Sequence, residues 1–298
     1  MADTRGMQDI FGLDIDKLAK GFGEQFYTFL NECQVRSMKG DSVRWFQKTA
    51  GTLSATTPSA TKNVSAGSRP TTLEVSWTRN TSYKKKYFVE GFLDSEDIDD
   101  AEIDTFATTV RDLTEVIVRD RDKDIFNVMT EYSESTGLPA PSEIQTFATT
   151  AIGGDQWDAA LYAADIVKDL MYAKKLIQDQ GYSPEGATLL LNTTDYNSIV
   201  NWLISGKGSS IPSMAAEKIK TGIVMNLLGL NLKVGLNVTN DYAVVIVPKR
   251  AMTYSESQGI TSGVDKDTGK GVNIRVWASG ISYRTDPKAI VLITDTKT

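Results

Sequence analysis

Histidine is absent from all 298 residues. That excludes hydrolytic triads with a histidine base, HExxH zinc sites and imidazole proton shuttles. Cysteine occurs once, at Cys33. No disulfide can close within the chain and no CxxC pair exists, which fits a reducing compartment and leaves Cys33 as a small buried apolar side chain. Basic residues give no excess: 32 Lys and Arg stand against 38 Asp and Glu, for a net charge of −6, with no basic block resembling a nucleic-acid tail. A protein whose main task is tracking phosphates shows the opposite balance. Nowhere do about 18 apolar residues run together, and the first twenty residues mix acids with hydrophobics, so neither a spanning helix nor a secretory signal is read. The expectation is a chain made and kept in the cytosol, where the sequons at Asn63, Asn80, Asn192 and Asn237 stay unmodified.

What remains is an ordinary globular composition, 41% hydrophobic and 9% aromatic, long enough for a large core or two ordinary domains without metal or disulfide support. Near the N-terminus, Ile10, Leu13, Leu18, Phe22, Phe26, Phe29 and Leu30 recur at mostly helical spacing, weakened by Gly21 and Gly23. This reads as an amphipathic arm that must bury its stripe against something else. From Thr49 to Thr72, fifteen of twenty-four residues are Thr, Ser or Ala, a low-complexity stretch of the kind that is either functional or disordered.

The odd positions from Leu73 to Val89 then read Leu, Val, Trp77, Arg79, Thr, Tyr83, Lys85, Tyr87, Val. They predict a long strand or a hairpin arm. Lys84, Lys85 and Lys86 sit inside it, either as a solvated, aggregation-resistant edge or as a contact for an acidic surface on a neighbour. The acidic run Asp94 to Asp104 supplies a helix start, with Asp99 and Glu102 at capping-box spacing. Apolar residues from Ile103 to Tyr132 continue the pattern until Gly137, predicting a helix from Asp99 to about Ser135 of roughly 50 Å. A second helix is predicted from near Asp155 to Gly181, then a buried strand over Ala187–Leu191 and a helix capped at Asn192 and running through Trp202. Ser205 to Ser213 reads as a loop. Strands follow at Leu230–Val238, Ala243–Val247, Val272–Ala278 and Ala289–Ile293.

The glycine-bearing segments carry no chemistry. Gly263 to Gly271 has five residues where a phosphate loop has four, ends in Gly where Ser or Thr must bind magnesium, and precedes a strand. Asp265 and Asp267 begin like a calcium loop without its twelfth-position acid. A hairpin turn accounts for both. Gly206, Lys207 and Gly208 lack the dinucleotide spacing and read as exposed loop. No nucleophile, base and orienting group assemble, so no enzyme, cofactor or metal is assigned.

The order of parts is informative as a whole. The segment LEVSWTRNTSYKKKYFVEGF leading into DSEDIDDAEIDTFATTVRDLTEVIVRD, then GYSPEGATLLLNTTDYNSIV, and the closing VWASGISYRTDPKAIVLI together resemble major capsid proteins of tailed double-stranded DNA bacteriophages, the HK97-like fold. The resemblance implies an α+β chain with an N-terminal arm at residues 1–48 and an extended β-loop, the E-loop, at 49–93. It implies a peripheral domain with a spine helix at 94–154 and 271–298, and an axial domain at 155–270. It further implies a non-enzymatic subunit that forms hexamers and pentamers closing an icosahedral shell around the genome. Implied inter-subunit contacts are Phe22, Phe26, Trp77, Arg79, Lys84, Lys85, Lys86 and Lys207. Implied partners are other copies of itself, a scaffolding protein, a portal, a decoration protein, a maturation protease and non-specifically held double-stranded DNA, with no membrane. The implied location is the virion, after assembly in the host cytoplasm. An encapsulin-like compartment shell shares the fold and stands as the alternative.

Overall fold

The computed structural model describes residue 19 and residues 29–48, 65–69, 77–94, 105–159, 165–206, 226–267 and 270–297. The predicted start of the long helix and the sites at Phe22, Phe26 and Lys207 lie outside them.

Two sheets and a long helix organise the chain. The first sheet has the order β1 (Gln34–Ser37), β12 (Met252–Asp267), β13 (Gly271–Arg284), β4 (Lys85–Asp94). Its centre is the β12–β13 hairpin, 16 and 14 residues long. Asp267 pairs with Gly271, so β12 and β13 stay paired up to the segment read as a hairpin turn, of which residues 268 and 269 lie outside the described residues. Helix α1 (Thr105–Met129) lies across this sheet. It buries Val110, Thr114, Ile117, Val118, Arg121 and Ile125 in one stripe, at the spacing that keeps a helix face on a sheet. Against it stand Val272, Ile274, Val276 and Ala278 from β13, with Tyr87, Val89 and Leu93 from β4. Gly91 lets β4 approach closely, since a Cβ there would stand 3.2 Å from Thr109 and Leu113.

The second sheet runs β7 (Gln145–Ala148), β14 (Ile290–Thr294), β11 (Tyr242–Ile246), β8 (Thr188–Leu191), β10 (Leu230–Val234), β9 (Asn226–Leu227). Its central strands β8, β11 and β14 are nearly all buried, as their unbroken apolar runs require. Helices α2 (Ile166–Asp179) and α3 (Thr193–Asn201) belong to its core, which also takes Phe29, Leu30 and Cys33 from the N-terminal segment and Phe126 and Met129 from α1. Burial drives the Cys33 thiol far above its ordinary pKa, with the Asp122 and Glu32 carboxylates adding to the effect.

Several expectations need correction. The long helix ends at Met129, well short of Ser135, because Glu131 turns to φ 56° and the chain enters a short hairpin of β5 (Tyr132–Ser133) and β6 (Leu138–Pro139). The second helix begins at Ile166, where the Asp165 carboxylate caps the Lys168 amide at 3.4 Å. Residues 155–159 instead form turns around Trp157, whose indole donates to Asp169 at 2.8 Å. The β10 strand stops at Val234 instead of Val238, because the chain turns there, the Val238 amide donating to the Gly235 carbonyl at 3.2 Å. Asn192 caps α3 as read, accepting from Thr194 at 3.1 Å.

Candidate functional site

With no catalytic constellation legible, the functional candidates are surfaces. Strands β2 (Ser42–Lys48) and β3 (Trp77–Tyr83) form a separate two-stranded ribbon, antiparallel, with Ser42 opposite Tyr83 and Lys48 opposite Trp77. The alternation read from 73 to 89 therefore breaks at Lys84: β3 belongs to the ribbon, while β4 belongs to the first sheet.

One face of the ribbon is tied to its own chain. The Trp45 indole stacks on Tyr283, centroids 4.6 Å apart, and donates to the Arg284 carbonyl at 3.1 Å. Gln47 donates to Glu143 and accepts from Asn80 at 2.8 Å. Lys84 donates its backbone N–H to the Asp41 carbonyl at 2.9 Å and pairs its ammonium with the Asp41 carboxylate at 2.5 Å. That hydrogen bond and charge lower the Asp41 pKa. Lys85 pairs with Asp124 at 3.0 Å, which also accepts from Tyr87 at 2.7 Å. Burial, and then that hydrogen bond, push the Tyr87 phenol far upward.

An open cleft of about 630 Å³ lies between the ribbon root and the end of α1, lined by Trp45, Lys85, Asp124, Glu131, Glu143 and Arg284 among others. Arg284 anchors its floor, donating to the Val128 carbonyl at 2.9 Å and to Glu143 at 3.0 Å. Glu131 is held at the same end of α1 by hydrogen bonds from the Ser142 amide and hydroxyl, both 2.6 Å, and from the Glu143 and Ile144 amides, both 2.9 Å. Burial alone would raise its pKa, but these four donors outweigh it and hold the carboxyl below the ordinary value. Among the described residues no group of three or more His, Cys, Asp or Glu is arranged to hold a metal.

The other face of the ribbon points away from the chain. It carries Phe46, Trp77 and Tyr83, which are 60%, 54% and 75% exposed, with Arg44 and Arg79 between them. Of the sites expected from sequence, the structure thus brings Trp77 and Arg79 together on one face. It separates them from Lys84 and Lys85, which are paired within the chain, and from Lys86, whose ammonium lies 5.4 Å from the Phe88 ring centre. Phe46, Tyr83, Phe88 and Phe92 are large exposed aromatics that the sequence reading did not single out. The signal for the first was available in the alternation of Arg44, Phe46 and Lys48, hidden because β2 has no partner nearby in sequence.

No protein-family model matches the sequence, and no curated protein matches it by sequence. Solved structures do match, over almost the whole chain. A virus-like particle from Pyrococcus furiosus aligns over 95% of this chain and 99% of its own, with TM-score 0.62 and 13% identity. The capsid of the cyanophage P-SCSP1u aligns over 90% and 88%, with TM-score 0.64 and 14% identity. The capsid of a native GTA particle aligns over 94% and 91%, with TM-score 0.60 and 15% identity. These likenesses extend over nearly the whole of each chain, and this chain has the HK97-like capsid fold.

Proposed function

We propose that this chain is a major capsid protein, a structural subunit that assembles into hexamers and pentamers forming the icosahedral head around a double-stranded DNA genome. The observation that carries this reading is the fold likeness to capsids and a virus-like particle across at least 90% of the chain. A ribbon with one exposed aromatic face supports it, because such a face gains by being covered in an assembly. The chain acts without catalysis in this role. Its location is the virion, reached by assembly in the host cytoplasm with a scaffolding protein, portal, decoration protein and maturation protease, the packaged DNA being touched non-specifically.

Within that frame residues 1–48 serve as the arm and 49–93 as the E-loop, with 94–154 and 271–298 peripheral and 155–270 axial. The pairing of Ser42–Lys48 with Trp77–Tyr83 favours starting the E-loop at Ser42, and the pairing of β12 with β13 favours counting Met252–Asp267 with the peripheral part. Phe22, Phe26, Trp77, Arg79, Lys84, Lys85, Lys86 and Lys207 are its proposed contacts between subunits.

Sedimentation and negative-stain microscopy of the chain, expressed alone and with its neighbouring genes, test the reading. Shells, tubes or five- and six-membered rings are expected. A monomer under every condition would overturn it, and closed shells that enclose an enzyme instead of DNA would move it to a compartment shell.

A further inference from the structure

Beyond β14 the residues 295–297 thread between the loop that follows β7, the start of β11 and the first turn of α3. Thr149 and Thr150 donate their hydroxyls to the Asp295 carbonyl at 2.5 Å and to the Asp295 carboxylate at 3.1 Å. The Thr296 and Lys297 amides donate to the Asp241 carbonyl at 3.5 Å and to the Asp241 carboxylate at 3.0 Å. The Thr296 hydroxyl donates to Asp195 on α3 at 3.3 Å, and the Thr296 carbonyl accepts from the Trp157 amide at 2.9 Å. Trp157 then donates its indole N–H to Asp169 on α2 at 2.8 Å. One chain of hydrogen bonds, from Asp195 through Thr296 and Trp157 to Asp169, thus crosses three elements, and all four residues are buried. Residues 153–158 have neither helix nor strand of their own, so these bonds and the burial of Trp157 hold them down.

Both ends of that chain are carboxyls in the same electrostatic position. Asp195 is buried and faces the carboxylates of Asp241 on β11 and Asp158 in the loop, against the Thr296 hydroxyl and the Lys297 ammonium. Asp169 is buried and faces Asp165, against the Trp157 indole and the Lys168 ammonium, and Lys168 is already bonded to the Ile152 carbonyl. The second carboxyl oxygen of Asp169 is buried and has no hydrogen-bond partner among the described residues, so a bare charge there has no donor to stabilise it. Burial first, and then the neighbouring carboxylates, raise both groups to about 6. A carboxyl opened to water releases its proton near about 4. The closed arrangement therefore keeps two protons that the opened one gives up, one at each end of a single chain of hydrogen bonds.

We propose that Trp157 is the pin of a proton-controlled clasp. With Asp169 and Asp195 both protonated, it locks residues 153–158 and 295–297 onto α2, α3 and β11; with both charged, it releases them while the second sheet beneath stays folded. The inference concerns contacts within one chain and stands apart from the shell reading. Because Trp157 bonds to Asp169 directly and to Asp195 through Thr296, lifting it opens both carboxyls to water at once, and the two protons leave together.

Native-state hydrogen exchange of the full chain, read at the Trp157, Thr296 and Lys297 amides and corrected for intrinsic exchange, gives the opening constant of the clasp. That constant is expected to exceed the one read at the β8 amides. It is expected to rise more than about tenfold per pH unit between about pH 4 and 6, steeper than one titrating proton allows, and to level off above about pH 6. Asp169→Asn and Asp195→Asn each keep a side-chain oxygen to accept the existing hydrogen bond without a charge. Each alone is expected to bring the rise below about tenfold per unit, and the double variant to abolish it, leaving the clasp closed at about pH 8. Unchanged circular dichroism establishes that the variants fold. Thr296→Val gives a check that leaves both carboxyls in place: it cuts the bond to Asp195, and its slope is expected to fall to that of a single proton. Exchange at these amides with the β8 opening constant at every pH would mean that the segment opens only with the whole chain, which overturns the clasp. A wild-type slope in the double variant also overturns it, and a slope abolished by one single variant overturns its two-ended form.

Discussion

Trp45 and Tyr283 stack with ring centroids 4.6 Å apart and planes 29° from parallel, although 238 positions separate them in the chain. This contact, with the indole hydrogen bond to the Arg284 carbonyl, fixes the ribbon root on the end of the β13 strand. An aromatic pair contributes about 0.5–1.5 kcal/mol and a hydrogen bond about 1 kcal/mol. Trp45→Ala should therefore ease local opening of the ribbon by about 1–2 kcal/mol. Hydrogen exchange is expected to speed up about 5- to 30-fold at Ser42–Lys48 and Trp77–Tyr83 while α2 amides keep their rates; equal rates in both proteins would show that the stack does not hold the ribbon.

Two buried carboxylates give a defined pH response. Burial raises Asp169 and Asp195 to about 6, even though Asp169 accepts from Trp157 at 2.8 Å and Asp195 from Thr296 at 3.3 Å. Each stays protonated in the folded chain up to about pH 6, whereas an unfolded aspartate releases its proton near its ordinary value of about 4. The native state thus binds more protons across that window, so stability falls as pH rises from about 4 to 6 and is flat in this contribution above it. Denaturant midpoints measured over pH 4–7 should show this slope, and Asp169→Asn together with Asp195→Asn should flatten it. A double variant with the wild-type slope would place the titration elsewhere.

Gly235 sits where a Cβ would stand 2.5 Å and 2.8 Å from two carbons of the fully buried Phe29 ring. A ring packed among Phe126 and the strands of the second sheet has no free direction to move. Gly235→Ala is expected to cost about 1–3 kcal/mol through overpacking. Combining it with Phe29→Leu should cost less than the sum of the two single changes, as residues in contact do; strict additivity in urea melts would contradict the clash.

Cys33 is 3% exposed and donates its thiol to the Phe29 carbonyl at 3.5 Å. Its raised pKa leaves essentially no thiolate at neutral pH. A disulfide exchange reagent should leave the native protein unlabelled and label one thiol per chain after unfolding in urea. Rapid labelling of the folded chain would show that the N-terminal segment opens.

Much of the second sheet was legible because Thr188–Leu191, Tyr242–Ile246 and Ile290–Thr294 are continuous apolar runs, the mark of strands buried on both faces. The strand Met252–Asp267 escaped notice. Its Ser, Gln and Gly residues break any alternation, and the pairing shifts register between Glu256 and Thr261, so neither period nor propensity marks it. Helix α1 was seen at its centre, but the reading overran Met129. The apolar spacing continues through Tyr132, and only the left-handed turn at Glu131, held by four donors from Ser142, Glu143 and Ile144, ends it.

Composition by itself settled what chemistry is absent, since no fold can supply an imidazole or a second thiol that the chain does not encode. The order of strand, long helix and mixed sheet was likewise written in local patterns of polarity, which act over a few residues. Which strands pair was not. That β3 leaves β4 for β2, that Trp45 finds Tyr283, and that Trp77 shares an exposed face with Phe46 and Arg44 depend on contacts between residues tens to hundreds of positions apart. Such contacts are selected by the burial and hydrogen bonding of the whole chain, and only the tertiary structure decides them.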